Sequence, residues 1–425
     1  MTLSPWIAVA LALPVLLLGE WLVRRMAVLQ RFNIPAPVVG GLLLSLLVLA
    51  GNVTGVFTAR FETGIAAQWW TWLVTTEPEW LKAPTKSVNL PFLVTFFTCV
   101  GLNASWTLVK RGSLQVLLFL GLAAALAVIQ NCVGVGLAKL MGVQPLLGLV
   151  CGSVAMTGGH GNVLGFAADF EAAGLKGAAV VGVAAATFGL VTGGLLGGPV
   201  GGALIRKRNL KPAAAAGTHL EPGRTGESGI MQDFRALAKF GKPVMLHILL
   251  LLGCVKLGAW VSFGIQKAGI TFPVYMGAML LGVTVRNVLD VSGARWIKTE
   301  IVDTLGSVTL GIFLVIAMMS LNLIELANAA VPMLVILAVQ VAIMAAYARW
   351  ITFLVMGRDF DAAVMAGGHC GFGLGATPNA VANMKVLVER FGPAPRAFLV
   401  VPIVGAFLID ILNAMNITAF LNFLK

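Results

Sequence analysis

The sequence predicts an all-α polytopic membrane protein, built from two inverted repeats of five transmembrane helices, each repeat with a re-entrant glycine-rich loop. Three observations lead to this fold class. Of the 425 residues, 59% are hydrophobic and only 11% are charged, whereas a soluble domain carries about 25% charged residues. The apolar residues form segments long enough to cross a bilayer. The order of these segments in the first half of the chain recurs in the second half.

Ten apolar segments have about the 20 residues that a membrane-spanning helix needs. They are 4–22, 36–57, 89–108, 113–138, 178–204, 243–264, 271–289, 301–321, 331–353 and 398–421. Two further apolar stretches, 145–170 and 362–384, are interrupted by Gly, Asp or Pro, and their uninterrupted parts are too short to cross. The first segment is predicted to be a span and not a cleavable signal. A secretory signal starts with basic residues, and the first basic residue here is Arg24.

The basic residues predict that both termini lie outside. With this orientation, most of the 29 lysines and arginines fall in cytoplasmic loops, as the positive-inside rule requires. These loops also account for the net charge of +12, so we expect no nucleic-acid partner. The polar segment 206–242 is predicted to be a mobile cytoplasmic linker. In the outer segment 58–88, four tryptophans favour a short helix at the membrane surface, and a lid over the entrance is the alternative.

An internal repeat divides the chain at this linker. Three stretches of the first half match three of the second half in the same order: 32–47 with 270–285, 100–109 with 319–328, and 155–170 with 365–380. Each half has five spans, an odd number, so the second half enters the membrane from the opposite side. We therefore predict that 1–205 and 243–425 are inverted repeats, an architecture of many secondary transporters.

The interrupted stretches 145–170 and 362–384 are then predicted to be re-entrant loops that enter from opposite sides, with a kinked helix packed on small residues as the alternative. Non-helical backbone at membrane depth is tolerated where protein or water satisfies it. Its N–H groups can bind an anionic substrate, and its carbonyl groups can bind a cation.

The five cysteines lie in apolar or glycine-rich segments without paired spacing. We predict free buried thiols and no metal cluster.

Several motifs resemble those of the bacterial sodium/glutamate symporters. The two glycine-histidine motifs are GGHGN (158–162) and GHCGFGLGATPNAVANM (368–384), and they are accompanied by PAPVVGGLL, ATFGLVTGGLLGGPV, ERFGPAPRAFLVVPIVGAF and IDILNAMN. The resemblance runs from about residue 30 to 415. It implies sodium-coupled uptake of L-glutamate across the bacterial inner membrane, by elevator-like alternating access in a homodimer. Two features depart from the family pattern and bear on which carboxylate is carried: Asn162 replaces an expected threonine, and segment 58–88 is longer.

Substrate contacts are expected from backbone N–H groups and polar side chains of the two glycine-histidine motifs. The predicted substrate-binding residues are Gly158, Gly159, His160, Gly161, Asn162, Gly371, Gly373, Gly375, Thr377 and Asn379. His160 and His369 occupy matching places in the repeat. Bracing hydrogen bonds, proton transfer and metal ligation are the alternatives for these two histidines.

The sodium site is predicted around the last span. A carboxylate inside a membrane is costly and usually functional, and sodium favours hard oxygen ligands. We predict Asp410, Asn413 one turn later, and Asn383 of the second motif as ligands, with an ion pair as the alternative for Asp410. Gln130 and Asn131, on the fourth span, either serve ions or tie helices together.

Other functions remain as alternatives at this point. They are a carrier of another small carboxylate, a proton-coupled carrier, a channel, and a membrane-embedded enzyme that uses the two histidines. No acid–base–nucleophile set accompanies the histidines in the sequence, and paired broken segments suit a closed site better than a continuous pore. These patterns favour a lipid-embedded transporter and not an enzyme, and the resemblance implies a symporter with sodium and L-glutamate as its ligands.

Overall fold

The computed structural model describes residues 2–31, 34–56, 58–82, 84–105, 113–212, 229–269, 272–294, 296–321 and 326–424. Predictions for 106–112, 213–228 and 322–325 therefore lie outside the described residues. The helices are α1 (Pro5–Arg25), α2 (Ala27–Arg31), α3 (Ala36–Thr54), α4 (Gln68–Thr71), α5 (Glu77–Lys82), α6 (Leu90–Asn103), α7 (Ser113–Leu140), α8 (Pro145–Val154), α9 (Gly159–Ala172), α10 (Ala178–Lys207), α11 (Ile230–Phe240), α12 (Lys242–Lys267), α13 (Val274–Val291), α14 (Thr299–Met319), α15 (Leu326–Ala346), α16 (Phe353–Val355), α17 (Phe360–Gly373), α18 (Thr377–Phe391), α19 (Pro395–Ile403) and α20 (Ile409–Leu424).

Short strands accompany the helices near the start of the chain. Strand β1 (Thr2–Leu3) pairs in parallel with β2 (Arg60–Phe61), and β3 (Gly64–Ile65) pairs antiparallel with β4 (Lys86–Ser87).

Eight helices in the described ranges are long and apolar enough to cross a membrane. They are α1, α3, α7, α10, α12, α13, α14 and the run Ala330–Val355, which continues α15 through a π-helical turn into α16. These match eight of the ten predicted spans, so the chain is an all-α polytopic membrane protein.

The other two predicted spans differ in the structure. Helix α6, within predicted span 89–108, has 14 described residues. Predicted span 398–421 is divided between α19 and α20 by a π-helical turn, Val404–Leu408. Pro402 near the end of α19 has no N–H to give to the preceding turn, and a proline in this position disrupts regular α-helix.

The chain divides into two compact units, each of which takes helices from both predicted halves. Unit 1 consists of Met1–Ala27, Pro35–Ser105 and Ser228–Ile324, and unit 2 consists of Val28–Ile34, Trp106–Glu227 and Glu325–Lys425. Unit 1 thus holds α1, α3 and α6 of the first half together with α12, α13 and α14 of the second. Unit 2 holds the remaining spans and both interrupted segments.

In unit 1, α6 packs on α13 and α14, and α3 packs between α1 and α14. Small side chains of α1, such as Ala8 and Ala12, lie against Val315 and Met319 of α14, and Phe61 of β2 completes this cluster. Burial of these apolar groups stabilises the unit by roughly 25 cal/mol per Å² removed from water. The strands are thereby fixed to the helical core.

The tryptophan-rich segment 58–88 is anchored to the helices of unit 1. The indole N–H of Trp70 donates to the carbonyl of Val88 at 2.8 Å. On α12, the ammonium of Lys256 donates to the carbonyl of Trp72 at 2.5 Å and lies 4.4 Å from the centre of its ring. These contacts give the segment a packed position, in keeping with a short surface helix.

Part of the predicted linker 206–242 is a helix that belongs to unit 1. The N–H of Ile230, at the start of α11, donates to the carboxylate of Glu20 at 2.5 Å. One turn later, the carboxylate of Asp233 accepts from the hydroxyl of Ser307 at 2.9 Å. Because both groups are buried, the end of the linker is bound to α1 and α14.

The prediction of free thiols is confirmed for all five cysteines. The prediction that they are buried is wrong for Cys132, which is exposed, because its side chain lies on the outward face of α7.

In unit 2, glycines of α10 allow a close approach of α17. They stand at every fourth position and so on one face of the helix: Gly189, Gly193, Gly197 and Gly201. A Cβ atom at Gly193 would lie 3.1 Å from the carbonyl oxygen of Gly371, and one at Gly201 would lie 3.0 Å from that of Ala363. Small residues at such spacing bring membrane helices into backbone contact.

Candidate functional site

The first interrupted segment, α8 and α9, leaves helical geometry at Gly152. This residue has φ −87° and ψ −137°. The N–H of Ser153 is bonded by Oδ1 of Asn131 on α7, at 2.8 Å. A Cβ atom at Gly152 would lie 2.7 Å from this oxygen, so glycine permits the approach of α7. After a turn, α9 begins at Gly159 with φ +60°, a left-handed conformation that favours glycine.

The second interrupted segment is two helices joined by a turn at 374–376. We expected the glycines of 362–384 to form a non-helical loop, but four of them lie inside α17: Gly367, Gly368, Gly371 and Gly373. The side chain of Asp359 accepts from the N–H of Ala362 at 2.8 Å and caps the start of α17. Glycine lowers helix propensity, and close packing on α10 and α18 compensates for it.

The two interruptions meet within unit 2. A Cβ atom at Gly159 would lie 3.0 Å from the carbonyl oxygen of Gly375. Between the two segments, the side-chain N–H of Gln130 donates to the carbonyl of Gly373 at 2.8 Å, and its Oε1 accepts from the hydroxyl of Thr157 at 2.7 Å. The first turns of α9 and α18 therefore begin beside one another.

Gln130 and Asn131, for which ion binding and helix contacts were alternatives, both tie helices together. Gln130 joins α7 to both interrupted segments, and Asn131 joins α7 to the kink at Gly152. The side-chain N–H of Gln340 on α15 donates to the backbone carbonyl of Gln130 at 2.7 Å. This network is fully buried.

Each of the two histidines lies within hydrogen-bond distance of a threonine hydroxyl, and the two threonines are different. His160 Nε2 lies 3.0 Å from Oγ1 of Thr187 on α10, and His369 Nδ1 lies 2.9 Å from Oγ1 of Thr352. The ring of His369 also stacks on Phe372. Across the described ranges there is no group of three or more His, Cys, Asp or Glu side chains that could hold a metal ion. The geometry agrees with bracing hydrogen bonds.

Polar side chains of the two motifs lie near the meeting point. The amide of Asn379 donates to the carbonyl of Leu190 at 2.6 Å, and the hydroxyl of Thr377 donates to the carbonyl of Gly405 at 2.5 Å. Asn162 is buried in the first turns of α9, and its Oδ1 has no hydrogen-bond partner within the described part of the chain. Gly158, Gly161 and Gly375 are neighbours of these groups in the chain.

Two other predicted substrate residues are contacts between helices. Gly371 packs on the backbone of Asn379 and Ala380 in α18, and Gly373 packs on Leu126 and Met344. The structure therefore places Gly371 and Gly373 behind the turn of the second interrupted segment.

The predicted sodium ligands fall at two places in unit 2. The amide of Asn413 donates to the carbonyl of Ser153 at 3.0 Å, whereas the amide of Asn383 donates to the carbonyl of Gly193 at 2.9 Å. Asp410 is partly exposed. Among the residues that the structure describes, its carboxylate takes part in no ion pair, so the ion-pair alternative for Asp410 finds no support there.

Sequence reasoning missed three buried polar residues of this region: Ser153, Thr157 and Gln340. A polar residue inside an apolar segment was the available signal. The signal does not reveal the partner, because each partner is distant in the sequence.

Comparisons with known proteins agree with the motifs. The family model described as "Sodium/glutamate symporter" matches residues 1–77 and 71–393. A sodium/glutamate symporter of Haemophilus influenzae is 37% identical over 422 residues, which cover 97% of this chain and 96% of that relative. The sodium/glutamate symporters of Escherichia coli K12 and Shigella flexneri are each 38% identical over 431 residues, covering 99% of this chain and 97% of theirs.

Proposed function

Because this chain belongs to the sodium/glutamate symporter family, we propose how its residues carry out sodium-coupled glutamate uptake. The protein is a secondary transporter and not an enzyme, with glutamate as the transported substrate and sodium as the coupling ion. The observation that supports a site in unit 2 is the meeting of two helix N-termini at Gly159 and Gly375.

Glutamate binds at this meeting point. Helix N-termini present free N–H groups and a positive dipole end, which attract carboxylates. The first turns of α9 and α18, from Gly158 to Asn162 and from Gly375 to Asn379, supply these dipole ends, together with those of their N–H groups that do not already donate to a backbone carbonyl. Asn162 adds a buried amide oxygen that can accept from the substrate ammonium. Gly371 and Gly373 shape the site by holding α17 against its neighbours.

Sodium binds near Asp410, with Asn413 and Asn383 as further candidate ligands. The carboxylate supplies the negative charge, and amide oxygens are hard ligands of the kind that sodium prefers. Binding of the ion and of glutamate is linked, so each raises the affinity for the other.

The chain is a multi-pass protein of the bacterial inner membrane, with both termini periplasmic and the linker cytoplasmic. The distribution of basic residues supports this orientation. The composition of the units supports inverted repeats. Each half gives three of its predicted spans to unit 1, and each half gives a span, an interrupted segment and a further span to unit 2.

Transport proceeds by elevator-like alternating access in a lipid-embedded homodimer. All the candidate substrate and sodium residues belong to unit 2. They can therefore move as one body together with their ligands, which is what an elevator-like step requires.

The test is uptake of labelled glutamate into proteoliposomes that contain the purified protein. We expect accumulation that depends on an inward sodium gradient and that is competed by unlabelled glutamate. A proton gradient in sodium-free buffer should cause no accumulation of glutamate. Accumulation without sodium, or of another carboxylate in preference to glutamate, would contradict the proposal.

A further inference from the structure

Polar side-chain atoms without partners lie around the backbone of one residue, Ser153, at the kink of the first interrupted segment. Asn131 accepts from the N–H of Ser153 at 2.8 Å, and Asn413 donates to the carbonyl of Ser153 at 3.0 Å. All three residues are at most 1% exposed. Two asparagines, from α7 and α20, thus bind the N–H and the carbonyl of the same residue.

These contacts fix the orientation of both side-chain amides. Asn131 must turn its Oδ1 toward an N–H group, and Asn413 must turn its Nδ2 toward a carbonyl oxygen. Hence Oδ1 of Asn413 points elsewhere, and it has no partner in the described ranges, as is also true of Oγ of Ser153. The Ser153 carbonyl accepts a second hydrogen bond, from the N–H of Gly158 at 2.8 Å, so it has no lone pair left to offer.

Asp410 lies on the same face of α20 as Asn413, because residues three positions apart on a helix are neighbours. No ion pair of the described residues includes its carboxylate. A hydroxyl and an amide oxygen are therefore available at the kink, and a carboxylate lies on the same helix face as the amide. Buried polar atoms are nearly always satisfied, so a missing partner at this place calls for an explanation.

We propose that the coupling sodium ion binds beside Ser153. The hydroxyl of Ser153 and Oδ1 of Asn413 are ligands, and Asp410 supplies the charge. Asn131 is a positioning residue that orients Ser153 without touching the ion. Of the candidate ligands named above, Asn383 is left out of this set, because its amide donates to the carbonyls of Gly193 and Gly367 between α10 and α17.

This inference rests on the proposed sodium coupling and adds a ligand and a positioning residue to it. It also gives a reason for the position of the site. The ligands come from α8 and α20, and α8 leads into α9, whose N-terminus is the proposed glutamate site. An ion at Ser153 would fix the turn before α9, and ion binding would thereby prepare the substrate site.

The test measures sodium binding to the full-length protein without glutamate. The thermal midpoint of the purified protein is followed as sodium chloride replaces choline chloride at constant ionic strength, since a ligand that binds the folded state raises the midpoint. Ser153→Ala and Asn413→Ala should each raise the sodium concentration for half-maximal stabilisation by about tenfold or more. Glutamate affinity at saturating sodium should change much less.

Three further variants, at Ser153 and Asn131, separate ligation from folding. Ser153→Cys keeps a similar side-chain volume but replaces the oxygen with sulfur. It should therefore fold and show the same loss of sodium affinity as Ser153→Ala. Asn131→Ala should weaken sodium binding, and Asn131→Asp should restore it, because a carboxylate oxygen still accepts from the Ser153 N–H. Ser45→Ala is the matched control: its hydroxyl is also buried, but it is bonded to the carbonyl of Leu321 in unit 1.

Unchanged sodium midpoints in Ser153→Ala and Ser153→Cys would overturn the inference and leave a buried water as the occupant. A loss of glutamate affinity at saturating sodium, with an unchanged sodium midpoint, would also overturn it, in favour of a substrate contact. A wild-type protein that gains no stability from sodium would count against sodium coupling itself, and this result would appear before any variant is compared.

Discussion

Gly371 stands where the two helices of the second interrupted segment touch, and a methyl group there has no room. A Cβ atom would meet the backbone nitrogen and Cα of Ala380 and lie 2.6 Å from the carbonyl carbon of Asn379. Backbone atoms cannot yield without moving a helix. Overpacking of this kind costs about 1–3 kcal/mol. We expect Gly371→Ala to lower the thermal midpoint of the purified protein and to abolish most glutamate uptake.

Two other glycines serve as comparisons for this prediction. A Cβ atom added at Gly373 would lie 2.8 Å from its nearest neighbour, the sulfur of Met344. Because this flexible side chain can move aside, Gly373→Ala should lose less uptake activity than Gly371→Ala. At Gly198 on α10 nothing lies within 4 Å of the added atom, so Gly198→Ala should be as active and as stable as the wild type. Equal stability of Gly371→Ala and Gly198→Ala would mean that α17 and α18 separate readily.

The residues that bear on function were only partly predictable at this scale. The sequence singles out the glycine-histidine motifs and Asp410, because each is unusual within an apolar segment. It does not distinguish Gly371 from Gly375, although one lies inside a helix and the other lies in the turn. The difference depends on which neighbour packs against each glycine, and that neighbour comes from another helix.

At the scale of secondary structure, α7 supports both interrupted segments through two consecutive residues. Gln130 reaches the second segment at Gly373, and Asn131 reaches the first at Ser153. Gln130→Leu keeps a similar volume but leaves the Gly373 carbonyl without this donor. A buried polar group without a partner costs about 1–3 kcal/mol.

We therefore expect Gln130→Leu to lower the thermal midpoint and to weaken glutamate binding, as measured by isothermal titration calorimetry. Cys132→Ser provides the control, because Cys132 lies on the same helix but is exposed. If the two variants bind glutamate equally well, the bond from Gln130 to the second segment has no part in forming the site.

The spans were predictable from the sequence because hydropathy is a local property. The interruptions were also predictable, since glycine, proline and charged residues break the apolar pattern. The contacts that hold the interruptions together were not. Gln130 and Gly373 are 243 positions apart, and no periodicity within either segment encodes that pairing.

At the scale of the whole molecule, the order of segments predicts two halves, whereas the structure has two units, each with helices from both predicted halves. This combination depends on packing between distant helices, and hydropathy carries no information about such partners. The predicted inverted orientation can be measured directly, because α11 has exposed residues.

We expect Gln232→Cys, on α11, to react with a membrane-impermeant maleimide only from the cytoplasmic side. Gln232 is exposed, and the basic residues around it predict that it lies on the cytoplasmic side. Glu62→Cys, in the predicted outer segment, should react in intact spheroplasts. Both variants are made in a background with Cys132→Ser, so that the exposed native thiol does not react. Labelling of Gln232→Cys in intact spheroplasts would reverse the predicted topology.

The hydrogen bond between Gln130 and Gly373 also determines when unit 2 can be completed during synthesis of the chain. At about 5–20 residues per second, the ribosome needs roughly 10–50 s to travel from one residue to the other. The segments of unit 1 are all made by Ile324, whereas unit 2 continues to Lys425. For that interval the first interrupted segment and α7 stand in the membrane with polar groups whose final partners do not yet exist. Unit 1 can therefore assemble during synthesis, whereas unit 2 can be completed only after the last hundred or so residues have been made.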